Sequence, residues 1–171
     1  MMGKCMIEST NMQTMHDRAK DKNDKLIVVS DGSVKNKDMR GTYAWALLKT
    51  IQNKLQWAHI EGWGMDSVNT KTGKKRQYET YTKELHSYRM EAMGLLSGLI
   101  FLRYTLRWKG TVEWHMDSQS VIDTYNNHIT PDNTIRWLKQ KDRDIWDAIN
   151  QERKWWNNRI TLIHVESHVD T

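Results

Sequence analysis

Three carboxylates stand beside strongly apolar segments of the sequence. Asp31 follows Leu26-Ile27-Val28-Val29 after a single serine. Glu91 lies one residue past Met90 at the start of an apolar helical pattern. Asp117 closes the alternating segment Thr111-Val112-Glu113-Trp114-His115-Met116. A carboxylate next to a core segment is costly to desolvate unless something compensates its charge. A hard divalent cation is such a compensation, because it takes carboxylate oxygens, and two ions can clamp both sides of an in-line phosphoryl displacement. Singly, each acid has an ordinary explanation: Asp31 as a turn residue with Gly32, Glu91 as a charge near a helix N-terminus, Asp117 as the residue before a helix. Together, in this element order, they point to metal-assisted hydrolysis.

A second group lies near the C-terminus. His164, Glu166, His168 and Asp170 share one parity, so on a continuing strand they project from one face. Neutral imidazole suits zinc, but this spacing matches none of the common zinc frames. Other chemistries lack their residues. Cys5 is the single cysteine, which excludes a disulfide framework and a Cys-rich zinc site. There is no Gly-x-Ser-x-Gly elbow and no phosphate-binding glycine loop.

The elements that must position these residues follow from periodicity. Leu26 to Val29 predicts a central strand ending at Ser30-Asp31-Gly32-Ser33. Thr42 to Leu48 predicts a second strand, Asn53 a break, and Leu55 to Ile60 a third. Residues 61–86 are polar and glycine-containing, with Lys71, Lys74, Lys75 and Arg76 clustered, and predict a long loop able to meet phosphates. Met90, Met93, Leu96, Ile100 and Tyr104 predict a helix over 87–104, whose Gly94, Ser97 and Gly98 permit close approach to a sheet. Thr111 to Asp117 predicts the next strand, with Val112, Trp114 and Met116 inward. Ser118 should cap a short helix, Thr130-Pro131 start another, and Asp142 cap a third that buries Ile145, Ile149 and Trp156. Arg159 to Val165 predicts the last strand. The fold class is α/β: a five-stranded mixed sheet, three strands antiparallel and two parallel, with helices on its faces.

Length and charge agree with one domain. The chain has 171 residues, and 26 basic against 21 acidic side chains give a net charge of +5, which suits a polyanionic partner. Nine Trp and six Tyr stand against one Phe, a usage that serves either the core or half-exposed stacking surfaces. Residues 1–25 show no sustained apolar period and read as a disordered leader or linker, with the catalytic domain at 26–171. No membrane span and no secretory signal are expected, so the chain reads as intracellular.

The motifs, in order, resemble ribonuclease H of type 1 and the domains fused to retroelement reverse transcriptases. Asp31-Gly32-Ser33, Thr42-Tyr43-Ala44-Trp45-Ala46, Arg89-Met90-Glu91, Asp117-Ser118-Gln119, Asp144-Ile145-Trp146 and His164-Val165-Glu166-Ser167-His168 carry the resemblance over residues 26–171. It implies hydrolysis of the RNA strand of RNA–DNA hybrids with two Mg²⁺ ions, Mn²⁺ substituting, and a reverse-transcriptase polypeptide as a candidate parent. It also implies metal ligation by Asp31, Glu91 and Asp117, with Asp170 available as the fourth acid. His168 would be the loop histidine of product release or proton transfer. Gly32, Ser33, Ser87, Tyr88 and Gln119 would be substrate contacts. Ser87 and Tyr88 replace a family pair of asparagines. The family's basic handle is reduced to Arg136, Lys139, Lys141 and Arg143, and its C-terminal helix is expected to be missing. A hybrid-binding module without cleavage, and another nuclease of the same fold, are the alternative readings.

Overall fold

The computed structural model describes residues 2–7, 18–35, 40–51, 54–67, 86–127 and 142–166. The central strand β2 runs Lys25–Lys35 and buries Leu26 and Val28. Strand β3 (Arg40–Ile51) pairs with it antiparallel, and β4 (Lys54–Ser67) pairs with β3 antiparallel. On the other side of β2, β5 (Thr111–Met116) and then β6 (Ile160–His164) join in parallel. Helix α1 (Ser87–Ile100) lies on β2 and β3. Helices α2 (Gln119–Asn126) and α3 (Arg143–Trp156) follow β5, and α3 packs on α1. The expected mixed α/β sheet is thus present, with its antiparallel and parallel halves in the expected order.

A sixth strand is added at the edge. β1 (Met2–Ile7) pairs antiparallel with β4, giving the order β1-β4-β3-β2-β5-β6. Residues 18–24 are also part of the fold: Ala19 is buried, its carbonyl accepts from the Lys109 amide at 2.9 Å, and Arg18 pairs with Asp24 at 2.7 Å. The expected disordered leader is corrected for these two stretches. Edge pairing is made by main-chain groups, which leave no apolar period in the sequence. Two other strands outrun their expected ends. β2 continues to Lys35, so Asp31 lies inside a strand, and β4 continues to Ser67 through two glycines. Gly62 and Gly64 face Trp45 and Tyr43 across the β3–β4 pair, and the aromatic rings lie where a Cβ would be. The pairing hides the apolar surface that the glycines do not supply.

Helix α1 is buried on nearly every side from Arg89 to Leu96, and Gly98 and Leu99 are buried beyond it. The expected inward stripe holds for Met90, Met93 and Leu96 but not for Ile100 and Tyr104, which are exposed. For Tyr104 a π-turn at Phe101–Thr105 is the reason. The Leu106 amide donates to the Phe101 carbonyl at 3.0 Å, and this wider turn rotates Phe101 and Leu102 inward instead. The Trp114 ring seats against Gly98, and its indole N–H donates to Ser30 Oγ at 2.7 Å. Ser118 caps α2 as expected, accepting from the Val121 amide at 3.3 Å. Asp142 does not cap α3 with its side chain; it has φ of 55° and its carboxylate is engaged elsewhere. The helix expected from Thr130 and the basic loop around residues 71–76 lie outside the described residues. No described helix is long and apolar enough to cross a membrane.

Gly98→Ala tests the helix–sheet contact. Alanine gains about 1 kcal/mol of helix propensity, but the new methyl meets the Trp114 ring. Overpacking should win, with a net loss of roughly 1–2 kcal/mol in urea unfolding; a more stable variant would show that the ring yields.

Candidate active site

The parallel register places two of the three acids side by side. β2 and β5 pair as far as Val29 and His115. Two residues further along each strand stand Asp31 and Asp117, level with one another where β5 ends. The third acid comes from below. Gly32 has no side chain, and a Cβ there would sit 2.8 Å from the Glu91 amide nitrogen and 2.9 Å from the Met90 carbonyl carbon. The first turns of α1 therefore rest directly on β2. The Gly32 amide donates both to Asp31 Oδ1 at 2.9 Å and to Glu91 Oε1 at 3.0 Å. One oxygen from each of Asp31, Glu91 and Asp117 lies within 4.8 Å of the others.

Glu91 is buried, whereas Asp31 is exposed and Asp117 half-buried. Desolvation, the facing Asp117 carboxyl and the Asp31 charge push the Glu91 carboxyl up to about 9, against the single relief of the Gly32 amide. Among the described residues its buried Oε2 has no hydrogen-bond partner. An all-oxygen donor set, clustered, self-repelling and with one orphaned buried oxygen, fits a hard divalent cation such as Mg²⁺.

The surrounding residues hold this cluster in place. Arg89, two residues before Glu91, is buried among three acids. Its guanidinium donates to Asp142 at 2.9 Å, to Asp144 at 3.0 and 2.8 Å, and to Asp66 at 3.3 Å. Burial opposes its charge, yet the pairing with Asp144 and then Asp142 holds its pKa above the ordinary arginine value. The end of β4, the first turn of α1 and the start of α3 are thereby tied together. His164 donates Nε2–H to the Asp117 carbonyl at 3.1 Å, and the Val165 amide donates to the Met116 carbonyl at 2.9 Å. Both fix the backbone that carries Asp117. Sequence reasoning missed these bracing roles. The Arg89-Met90-Glu91 motif marked the arginine, but nothing local to it named Asp66 or Asp142 as partners.

The expected substrate contacts are distributed around the acids. Ser33 is exposed on β2, its hydroxyl 3.5 Å from that of Thr42. Gln119 is exposed at the start of α2 and donates to Asp123 at 2.8 Å. Ser87 is exposed at the start of α1. Tyr88 is half-buried: its ring lies 6.2 Å from that of Trp146, and its hydroxyl meets Thr124 Oγ1 at 3.0 Å. The Thr124 hydroxyl proton goes to the Ser120 carbonyl, so Tyr88 donates, and it joins α1 to α2. His168 and Asp170 lie outside the described residues.

No protein-family pattern matches the chain, and no curated protein matches it in sequence. Solved structures do match. LC9-RNase H1, a type 1 RNase H with the type 2 active-site motif, superposes with a TM-score of 0.60 at 12% identity, over 88% of this chain and 66% of that one. The chain has the ribonuclease H fold. LC11-RNase H1, in a complex with RNA/DNA hybrid, matches at a TM-score of 0.51 and 13% identity over 83% and 86% of the two chains. A foamy viral protease-reverse transcriptase in complex with dsDNA matches at 0.54 and 10% identity, over 90% and 87%.

Two predictions follow from the electrostatics. Because Glu91 keeps its proton to about 9 in the folded chain and loses it near 4.5 when unfolded, the metal-free protein should lose stability as pH rises through that window. The slope contributed is at most about 1.4 kcal/mol per pH unit. Glu91→Gln should flatten it, and Mg²⁺ should stabilise the parent most at the alkaline end, measured as melting temperature against pH. Arg89→Ala removes the cation that the buried Asp142 and Asp66 share and should cost about 3–5 kcal/mol in denaturant unfolding; a cost under about 1 kcal/mol would show that the acids are held well enough by other partners.

Proposed function

We propose that this chain is a divalent-metal-dependent endoribonuclease that hydrolyses the RNA strand of RNA–DNA hybrids, leaving 3′-hydroxyl and 5′-phosphate ends. The observation that carries the proposal is the convergence of Asp31, Glu91 and Asp117 within 4.8 Å, from the middle of β2, the first turns of α1 and the end of β5. The ribonuclease H fold supports it, as does a fold neighbour that was solved with a hybrid bound.

Asp31, Glu91 and Asp117 would hold the ions, Mg²⁺ or Mn²⁺, with Asp170 proposed as a further ligand. Bound there, two ions supply an acidified attacking water and a neutralised leaving 3′-oxygen. The chain's own groups do the rest. The Gly32 amide keeps Asp31 and Glu91 oxygens convergent. His164 and Val165 hold the Asp117 backbone against the pull of a cation. Ser33 and Gln119 are exposed beside the acids, where they can meet the 2′-hydroxyls that only RNA presents. Ser87 and Tyr88 are proposed contacts at the start of α1. His168 is the proposed group for proton transfer or product release. A reverse-transcriptase polypeptide is the proposed parent of this domain.

The test compares cleavage of labelled RNA–DNA hybrid, duplex DNA and duplex RNA with Mg²⁺. Cleavage should be confined to the RNA of the hybrid. Asp31→Asn should abolish it while the fold, monitored by circular dichroism, persists. Activity within about tenfold of the parent, roughly 1.4 kcal/mol of barrier, would refute the assignment of Asp31.

A further inference from the structure

The end of the sheet opposite the acids gathers arginines and aromatic rings from three segments. Asp117 follows the last residue of β5, whereas residues 103–110 lead into its first, so roughly 20 Å of strand separates the two ends. Arg103 lies over the Tyr104 ring at 4.8 Å and over the Trp155 ring at 4.6 Å. Arg159, just before β6, lies over Trp155 at 4.6 Å and over Trp156 at 4.5 Å, and it donates to the Trp108 and Gly110 carbonyls at 3.2 and 3.3 Å. Residues 18–24 join them, with Arg18 over the Trp108 ring at 5.9 Å. Two guanidinium groups thus clamp the half-buried Trp155 in one orientation. The π-turn that sends Phe101 and Leu102 inward presents Tyr104 beside it, 58% exposed and covered by Arg103 on one ring face only.

The same end concentrates positive charge. Residues 18–24, 103–110 and 152–159 carry nine basic side chains against three acidic ones, a local charge of +6 where the whole chain has +5. Glu152 pairs with Arg103 and Asp24 with Arg18. Arg107, Lys109 and Lys154 are exposed, and among the described residues none of them makes an ion pair. Arg107 has φ of 57°, a conformation that glycine commonly supplies after a helix; here the position holds a cation. The C-terminal ends of α1 and α3 favour a cation or two nearby, fewer than are present. Cations of this kind meet phosphates, and an exposed ring with an open face stacks on a base. A duplex keeps its bases stacked on each other, and an acidic peptide offers no base. The combination of open ring and cations therefore fits a single strand.

We propose that this end of the molecule is a second nucleic-acid site, for a single strand: a base stacks on the open face of Tyr104, and Arg107, Lys109 and Lys154 meet the phosphates on either side of it. The inference goes beyond the hybrid-nuclease reading and does not rest on it, since the site uses none of the residues around Asp31, Glu91 and Asp117.

The experiment uses the full chain and a fluorescently labelled oligothymidylate, read by anisotropy in EDTA so that no metal at the acids contributes. Tyr104→Ala should raise Kd about tenfold. Tyr104→Phe should stay within about twofold of the parent, since its ring still stacks. Lys109→Gln and Lys154→Gln, both at exposed positions, should each lower the slope of log Kd against log salt by about 0.7. Unlabelled duplex DNA of the same length should compete about tenfold less well than the unlabelled oligothymidylate. A Tyr104→Ala binding curve that overlays the parent would overturn the site, as would salt slopes unchanged in both lysine variants, or no binding of the oligothymidylate at all. Equal competition by the duplex would leave phosphate contact without a stacked base, and equal competition by polyglutamate would make this a surface for acidic peptides; either result overturns the proposal. Asp31→Asn should leave this Kd within about twofold of the parent, whatever it does to hybrid cleavage, so failure of the strand site and failure of the nuclease reading are separable.

Discussion

The closeness of α1 to β2 at Gly32 is the contact on which the rest of the site depends. With no Cβ in the way, the backbone of Met90 and Glu91 rests on the strand, and one amide serves both Asp31 and Glu91. Any side chain at position 32 would lift the helix, and Glu91 would leave the reach of Asp31 and Asp117. The two residues of the Asp31-Gly32 pair thus act differently: one supplies a charge, and the other lets the second charge come near. The same helix carries Gly98 one sheet strand away, where the Trp114 ring takes the space a side chain would fill. α1 is therefore seated at both ends by glycines, against a backbone at one and an indole at the other.

Packing so tight is needed because electrostatics works against it. With three acids within 4.8 Å, ionising Glu91 would bury a charge and set it against Asp117 and Asp31, so its carboxyl holds its proton up to about 9 without a cation. The opposing force acts two residues away. Arg89 and Glu91 lie about 200° apart around the helix, so one turn presents a cation to one side and an acid to the other. On the cation side, Asp66, Asp142 and Asp144 bring β4 and α3 onto the guanidinium. A buried ion network of this kind is weak evidence for stability in itself, but it pins the turn that holds Glu91 from a direction the acid cluster cannot push. His164 does the matching service for Asp117 through that residue's own carbonyl.

The two faces of the sheet divide the aromatic residues between structure and surface. Trp45 and Trp114 lie under α1, and Trp108, Trp146 and Trp156 are likewise fully buried, taking the place of the nearly absent phenylalanine. Their polar edges are used where they can be: Trp114 donates to Ser30, Trp45 to Ser97 and Trp108 to the Thr111 carbonyl. Trp57 and Trp63 are on the other face, exposed. Composition alone could not separate these groups, because the same side chain suits a core and a stacking surface. Strand parity separates them once the register is known.

What the sequence by itself determined is local. Leu26 to Val29, Thr42 to Leu48 and Thr111 to Met116 form strands at the expected places, Ser118 caps its helix, and the order of the elements leads to the mixed sheet. Asp31, Glu91 and Asp117 were legible too, since an acid against an apolar run is a conflict that can be read from neighbours in the chain. Tertiary structure alone decided what depends on distant partners. β1 is in the sheet because β4 offered an edge, and β4 runs on through Gly62 and Gly64 because Trp45 and Tyr43 cover them. Arg89 has its value only beside Asp66, Asp142 and Asp144, 23 to 55 residues away. A cleft lined by Asp31 and Trp63 exists only when three strands lie in register. Periodicity records which way a side chain faces; it does not record what will stand opposite, because cross-strand and helix–sheet contacts are set by register and packing between segments that are far apart in the chain.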